Sequence, residues 1–429
     1  MTKHSNESFD IVIVGGGMAG ATMALALAPA VAKMGLSIAV IERHPYQQEQ
    51  SQPSFDDRCL ALSWSSRQIY QSMGIWDKLA QRDGDGFEAI KQIHISDCGH
   101  LGVTRLDHQK EGVPALGYVV ESRVVGEVLI EQMKQQENVH IFCPATIEHI
   151  VSTADDVTIN LTLGSKSKHQ LSARLMIIAD GVNSTTRESL GIQINQRSYA
   201  QTAIITNIET EIAHQNVAYE RFTDSGPLAV LPLTRQRSSL VWTVRDDQLQ
   251  DIMALNDVDF TRALQQRFGY RLGQINRVGR RASYPLVLMT IENNTLAHQK
   301  RVALIGNAAH GVHPVAGQGF NLGLRDISAL AELIVAEMQS YKSADPGNQA
   351  LLSHYWQWRQ ADIRQVTGIT NGLIKLFSNQ STPLAVLRNT GLLLADIMPP
   401  VKHAIAHEAM GSGVLQGKMS KMAVGRALG

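Results

Sequence analysis

Cysteine is scarce in this chain, with three residues in 429: Cys59, Cys98 and Cys143. They are odd in number and widely spaced, with no CxxC pair and no Cys/His ligand spacing. This excludes a disulfide framework and a zinc module, no metal ligand set is expected, and a reducing compartment suits the pattern. Cys59, inside FDDRCLALS, is expected to act as a small buried hydrophobe rather than a redox thiol. An excess of one charge is also missing. The 39 basic and 39 acidic residues leave no electrostatic case for nucleic acid as a partner. Nor is there an uninterrupted run of eighteen apolar residues, since the most apolar stretch, near 18 to 41, is broken by Pro29 and Lys33. A membrane-spanning helix is therefore not expected. The N-terminal MTKHSNESFD lacks the apolar core of a secretion signal, and a cytoplasmic location is expected. One apolar cluster, Leu387, Leu392, Leu393, Leu394, Ile397 and Met398, reads as a helix packed on the main body and ended by Pro399-Pro400. The alternative is a surface making peripheral contact with the inner face of a membrane or with a partner protein.

What the chain does have is glycine in two meaningful places. GGGMAG, from Gly15 to Gly20, follows the apolar run Phe9-Asp10-Ile11-Val12-Ile13-Val14 and opens an alanine-rich helix. Strand, glycine turn and helix are the context a dinucleotide fingerprint requires. Gly15 permits the tight turn, Gly17 lets the backbone approach a pyrophosphate, and Gly20 lets the helix pack closely on the strand. The helix N-terminus then offers free N–H groups and a positive dipole end to the diphosphate. A second strand, Ser37 to Ile41, ends in Glu42, about twenty residues past the last glycine, where an acceptor for ribose hydroxyls belongs.

The second signature is GNAAHGVHPVAGQGFNLGLRD, from Gly306 to Asp326. It follows the strand pattern Arg301 to Ile305, and Gly317-Gln318-Gly319 opens another helix near Phe320-Asn321-Leu322. Small residues at a strand end let a long ligand lie on the backbone, and the new helix N-terminus can face its polar part. A nicotinamide dinucleotide needs no such return strand so late in the chain. FAD does.

At 429 residues, 44% of them hydrophobic, the chain is too long for one ordinary core. The strand Leu175 to Ala179 leads into Asp180-Gly181, and Ala203 to Glu209, Val217 to Thr223, Leu228 to Leu233 and Ser239 to Arg245 read as strands. After Asp345-Pro346-Gly347 the periodicity turns helical through Tyr355, Ile363, Val366 and Leu373. The class expected is α/β: a Rossmann-like FAD-binding domain in two parts, 8–190 and 286–345, interrupted by a substrate-binding β-sheet domain, 191–285, with a C-terminal helical region, 346–429.

GGGMAGATMALALA, FDDRCLALS, ADGVNSTTR, YERFTDSGPLAVLP and the 306–326 segment together resemble the aromatic-ring flavoprotein monooxygenases related to para-hydroxybenzoate hydroxylase. Within these the chain resembles the ubiquinone-biosynthesis hydroxylases, and most of all the branch acting on 2-polyprenyl-6-methoxyphenol. The likeness covers nearly the whole chain. It implies FAD as cofactor, NAD(P)H as electron donor, and a polyprenyl phenol and dioxygen as substrates, with attack through a flavin hydroperoxide para to the phenol hydroxyl. Membership of a ubiquinone-biosynthesis complex also follows from it. A sister hydroxylase acting at another ring position and a noncatalytic flavin-bearing subunit remain alternatives.

The resemblance also implies site roles. Arg58 and Arg123 match arginines that contact FAD, for which a rigid, always-charged fork is suited. Asp180 belongs to a turn beside the diphosphate. Asn307 stands where the wider family has an Asp bonded to the ribityl chain, and keeps one acceptor there. Gly317, Gly319 and Asn321 line the flavin. The Pro314 carbonyl is expected beside the reacting ring, and His313 is a candidate proton carrier. His310 is expected to bond locally within the glycine-rich loop. Arg187 is expected either to orient the ADG turn or to receive NAD(P)H.

Overall fold

The computed structural model describes residues 5–46, 58–82, 86–164, 167–292, 300–312, 317–340, 344–377, 391–392, 394–412 and 418–428. Strand β1 (Ser5–Val14) runs into helix α1 (Met18–Ala32), which returns to strand β2 (Ile38–Ile41). Ile11 to Val14 are all buried, because helices and a second layer cover both faces. Continuous rather than alternating apolar sequence is what a doubly covered parallel strand requires.

β1 pairs in parallel with β2 on one side and with the long strand Ser167–Ile178 on the other. The short strand Val302–Leu304 joins the last residues of that long strand, also in parallel, from Met176↔Val302 to Ile178↔Leu304. Four parallel strands thus end together at Val14, Ile41, Ile178 and Leu304, the edge of an open α/β sheet at which ligands bind. Val139–Phe142 extends the sheet beyond β2, and the antiparallel pair Ala145–Ser152 and Val157–Leu163 extends it along the first half of the long strand.

A second, nine-stranded sheet is built mainly from the middle of the chain. Its central strands run Ala282–Ile291, Ile194–Thr210, Ser238–Arg245, Gly226–Pro232 and Val217–Thr223. It also takes in Gln92–Asp97 and Val103–Asp107 from earlier in the chain, and His310–Gly311 from later. The strand expected over 203–209 begins at Ile194, because the pairing passes an irregularity between Ser198 and Thr202, where Ala200 has φ 53°. One face of this sheet packs against helices Asp246–Ala254 and Asp257–Phe268 through Ile204, Leu228, Leu240, Trp242, Phe260 and Phe268. Each such side chain, fully buried, contributes about 1.5–3 kcal/mol. The other face carries the alternate residues, Ile205, Ala229, Val241 and their neighbours.

A small sheet of Cys59–Ser63, Gly117–Glu121 and Glu88–Ile90 stands between the two large ones. Two long helices, Gln318–Ser340 and Gln349–Phe377, complete the core, giving the mixed α/β architecture and C-terminal helical region that the sequence predicts. Of the apolar cluster, Leu387 and Leu393 lie outside the described residues. Pro399 and Pro400 follow the end of a helical stretch but also open a new helix, Pro399–Ala409. A proline at the first helical position loses no hydrogen bond, because its N–H would have had no partner. Among the described residues no helix is long and apolar enough to cross a membrane.

Candidate active site

The glycine turn after β1 is set by close backbone contact. Gly15 has φ 99°, and a Cβ on it would lie 2.7 Å from the Ala179 carbonyl oxygen. On Gly20 a Cβ would lie 1.7 Å from the Gly15 carbonyl oxygen. Gly17 is different: it caps α1 with φ −69°, a value any residue adopts, and no side chain caps the helix. With no side-chain cap, the first N–H groups of α1 remain open to an anion. Glu42 follows the end of β2, where its carboxylate takes the Gly16 N–H at 2.7 Å and the His44 N–H at 2.7 Å. Each oxygen keeps a second lone-pair direction for a hydroxyl donor. Tyr46, which sequence reasoning did not single out, donates its hydroxyl to the Gly16 carbonyl at 3.1 Å and so covers the turn.

Gly17→Val therefore separates ligand space from folding, since valine meets no backbone penalty at that φ. We expect the variant to unfold at the wild-type temperature while retaining at most about a tenth of the flavin, read from absorbance of the purified protein. Wild-type flavin content would remove the pyrophosphate from this turn.

Facing the glycine turn are the ends of the strands Ser167–Ile178 and Val302–Leu304. Asp180 accepts the Thr186 N–H at 3.4 Å through one oxygen, and its other oxygen is buried with no partner among the described residues. Arg187, 1% exposed, donates to the Ala308 carbonyl and to the Val182 carbonyl, each at 3.0 Å. It is a buried clamp joining the two strand-end turns. Of the two roles expected for it, the turn-orienting one matches this position, and burial removes it from any approaching nicotinamide. Gly306, with φ 57°, sits against Gly323 of the long helix, and the Asn307 side chain that follows is exposed.

Gly317, with φ 61°, lies against Ala61, where a Cβ would come within 2.8 Å. Gly319 has only ordinary contact room beside Val312. Asn321, expected at the cofactor, spends its amide on the protein: its oxygen accepts from the Ser63 N–H at 2.9 Å and the Ser66 hydroxyl at 2.7 Å. Its nitrogen donates to the Ala61 and Gly317 carbonyls, each at 2.8 Å. It pins the long helix to the strand Cys59–Ser63. At the head of that strand, the Arg58 guanidinium lies 4.9 Å from the centre of the Tyr284 ring, bridging the small sheet to the second large one. Arg123 is 44% exposed and pairs with Glu127 at 2.8 Å and Glu121 at 3.6 Å. Exposed pairs of this kind contribute at most about 1 kcal/mol, so they hold the guanidinium weakly against a ligand. His313 and Pro314 lie outside the described residues.

Sequence reasoning missed a buried charge network behind these turns. Asp326 takes the Gly306 N–H at 3.0 Å and His310 Nε2 at 2.6 Å on one oxygen, and Arg359 Nε at 2.7 Å on the other. Burial alone would raise the Asp326 carboxyl, but the charge and hydrogen bonds of His310 and Arg359 outweigh it and hold the group below its usual range. Ionised Asp326 makes Nε2 the donor nitrogen of His310, whose bond is structural as expected but ties the loop to the long helix Gln318–Ser340 rather than closing within the loop. Arg359 also stands 2.6 Å from Asp362, and Asp362 stands 3.1 Å from Arg325. These last contacts are close but poorly aligned for hydrogen bonds. Within the cluster the two guanidinium groups, Arg325 and Arg359, balance the two carboxylates, Asp326 and Asp362. Its function is to lock the Gly306–His310 turn onto both long helices.

The residues present fit FAD. An uncapped helix N-terminus and Glu42 stand together at the ends of β1 and β2. An unpartnered Asp180 oxygen and the exposed Asn307 stand at the strand ends, with Arg58 at the wall. Among the described residues no group of three or more His, Cys, Asp or Glu is arranged to hold a metal ion.

Comparison with known proteins agrees with this geometry. The family described as FAD binding domain matches residues 8–369. Ubiquinone hydroxylase UbiL of Rhodospirillum rubrum is 36% identical over 412 residues, covering 96% of this chain and 92% of its own. The 3-demethoxyubiquinol 3-hydroxylase of Escherichia coli is 30% identical over 411 residues, covering 95% of this chain and 100% of its own. A solved p-nitrophenol 4-monooxygenase from Pseudomonas putida shares the fold, with a TM-score of 0.74 at 20% identity over 95% of this chain and 99% of that one.

Proposed function

Because the chain belongs to the FAD-binding family of monooxygenases that includes the ubiquinone-biosynthesis hydroxylases, we propose that it hydroxylates 2-polyprenyl-6-methoxyphenol para to its hydroxyl. The product is 2-polyprenyl-6-methoxy-1,4-benzoquinol, and NAD(P)H is the electron donor. The observation that carries this reading is the apolar face of the second sheet opposite its helices, where Arg58 lies over Tyr284 and the partly exposed Ile205, Ala229 and Val241 stand in register. Such a face suits an apolar ring with an isoprenoid tail.

Bound FAD supplies the activation of dioxygen, the step no side chain can perform. The chain's own residues do the rest. Gly15 to Gly17, Glu42, Asp180 and Asn307 hold the cofactor, and Arg58 joins the cofactor wall to the sheet that presents the ring. The apolar sheet excludes water from the reacting pair. Asn321 and the Asp326 network act one step removed, by fixing the turns. Leu394, Ile397, Met398 and Val401, exposed by 49%, 73%, 46% and 39%, support peripheral contact with a lipid surface or a biosynthetic partner at the start of helix Pro399–Ala409.

A second reading, attack at another ring position of a related precursor, is favoured by the name of the Escherichia coli relative. Analysis of quinone intermediates in cells lacking the protein distinguishes the two. We expect 2-polyprenyl-6-methoxyphenol to accumulate, whereas accumulation of a demethoxy precursor would select the second reading.

A further inference from the structure

The strand Val217–Thr223 alternates between the two faces of its sheet. Tyr219 points toward the packed helices, its ring 5.6 Å from that of Phe268 and perpendicular to it. Glu220 therefore points the other way, onto the face proposed to hold substrate. Its neighbours in register are Ile95 and Ala229, and the row continues through Val241, Ile205 and Ala282. All are apolar, and Ala229 beside it is small. Across from this face stands the flavin-side wall: Cys59 packs with Ala218 and Leu231, and Arg58 lies over Tyr284.

Among the described residues no hydrogen bond or ion pair reaches the Glu220 carboxylate, yet the residue keeps accessible surface, as expected for a group lining an internal space. Burial pushes its carboxyl up to about 7, with no contribution from a charged neighbour. Ionisable groups on the same face and on the wall opposite it are Asp97, paired in register with Phe222 and with His100 beside it, and Arg58 and Cys59. Arg221 and His94 belong to the opposite, helix-covered face. The helix Gln349–Phe377 touches the neighbouring strand Gly226–Pro232 and carries His354, Arg359, Asp362 and Arg364, of which Arg359 and Asp362 are engaged with each other. A carboxylate without partners costs stability wherever it is buried, and such groups cluster at functional sites.

We propose that Glu220 is the proton acceptor for the hydroxyl of the bound phenol, an inference that rests on the hydroxylase reading above. The phenol O–H bond breaks, its electron pair stays on the ring oxygen, and the proton goes to the Glu220 carboxylate. The extra electron density reaches the para carbon, where the new oxygen is bonded. That carbon then releases its hydrogen as a proton to water, and Glu220 returns its own proton to the first oxygen as the ring regains aromaticity. No further oxidant or reductant enters these proton steps.

An infrared titration of the substrate-free protein tests the group itself. A protonated-carboxyl band should disappear with a midpoint near the shifted value of about 7, and should be missing in Glu220→Gln. In turnover, Glu220→Gln should lose about a hundredfold in kcat along with the alkaline-rising limb of the pH profile, and Glu220→Asp should restore the limb. A carboxyl titrating in the ordinary range, or an unchanged limb in Glu220→Gln, would overturn the proposal while leaving the hydroxylase reading intact. A wild-type protein whose Glu220 titrates as expected but which inserts no oxygen into any phenol would overturn both.

Discussion

Arg359→Ala is expected to destabilise the folded protein by about 3–5 kcal/mol, the cost of stranding a buried charge without its partner. Arg359 is 4% exposed and serves Asp326 and Asp362, themselves 0% and 4% exposed. Removing it leaves one guanidinium, Arg325, for two buried carboxylates. The dependence on pH gives the loss a signature. In the wild type the folded Asp326 carboxyl lies below its ordinary range, so it stabilises the fold above the unfolded value of about 3.9, and this is lost as pH falls through the folded value. Without Arg359 the depression shrinks to what His310 alone sustains against burial, so less stability is gained as pH rises above about 4. Urea unfolding should therefore show a larger deficit at neutral pH than in mild acid. As a control, Arg262→Ala removes a partner of Asp259 on a side chain 67% exposed and should cost under about 1 kcal/mol. Equal losses from the two variants would show that the network does not hold the helices.

Gly20→Ala should have an effect of similar size for a different reason. The added methyl would stand 1.7 Å from the Gly15 carbonyl oxygen and 3.3 Å from Ile13 Cγ2. The first of these is backbone, so α1 must move off β1 and open the turn. We expect a loss of about 3 kcal/mol, at the upper end for an overpacked site, together with loss of bound flavin. Gly368→Ala is the matched contrast. That glycine lies exposed inside the helix Gln349–Phe377, with nothing within 4 Å of an added Cβ. Alanine there should stabilise by about 0.5–1 kcal/mol and leave flavin untouched. Thermal melts with flavin absorbance read both, and a Gly20→Ala protein that melts and binds flavin like the wild type would contradict the packing account.

The two glycine turns and the strands feeding them were legible in the sequence, because local chemistry dictates them. A doubly covered parallel strand is a continuous apolar run, and glycine is required where backbones touch, as at Gly15 and Gly20. Glu42 was legible for the same reason, since its position is counted from the turn. What could not be read was pairing across distance. Gln92–Asp97 carries no mark that it will pair with Val217–Thr223, more than a hundred residues later. Arg325-Asp326 and Arg359 with Asp362 look like solvated helix faces, as charges at such spacing usually are, and only the packing of two long helices makes them a buried network. Asn321 was expected to meet the cofactor because of its neighbours in sequence. Its bonds to Ser63 and Ala61 reach a strand some 260 residues away, and that to Ser66 reaches the helix following it. Glu220 sat in view within YERFTDSGPLAVLP, but its isolation depends on the parity of a strand inside a sheet, which single-sequence patterning does not supply.

The central claim is that this chain uses a flavin to place an atom of dioxygen on a phenol ring para to the existing hydroxyl. The most direct measurement supplies the purified, flavin-loaded protein with a short-chain 2-prenyl-6-methoxyphenol, NAD(P)H and isotopically labelled dioxygen, and locates the label by mass spectrometry and carbon NMR. The account predicts one labelled oxygen on the para carbon and no change on adding a chelator. Label incorporated from water, or a new hydroxyl at the ortho position, would contradict it.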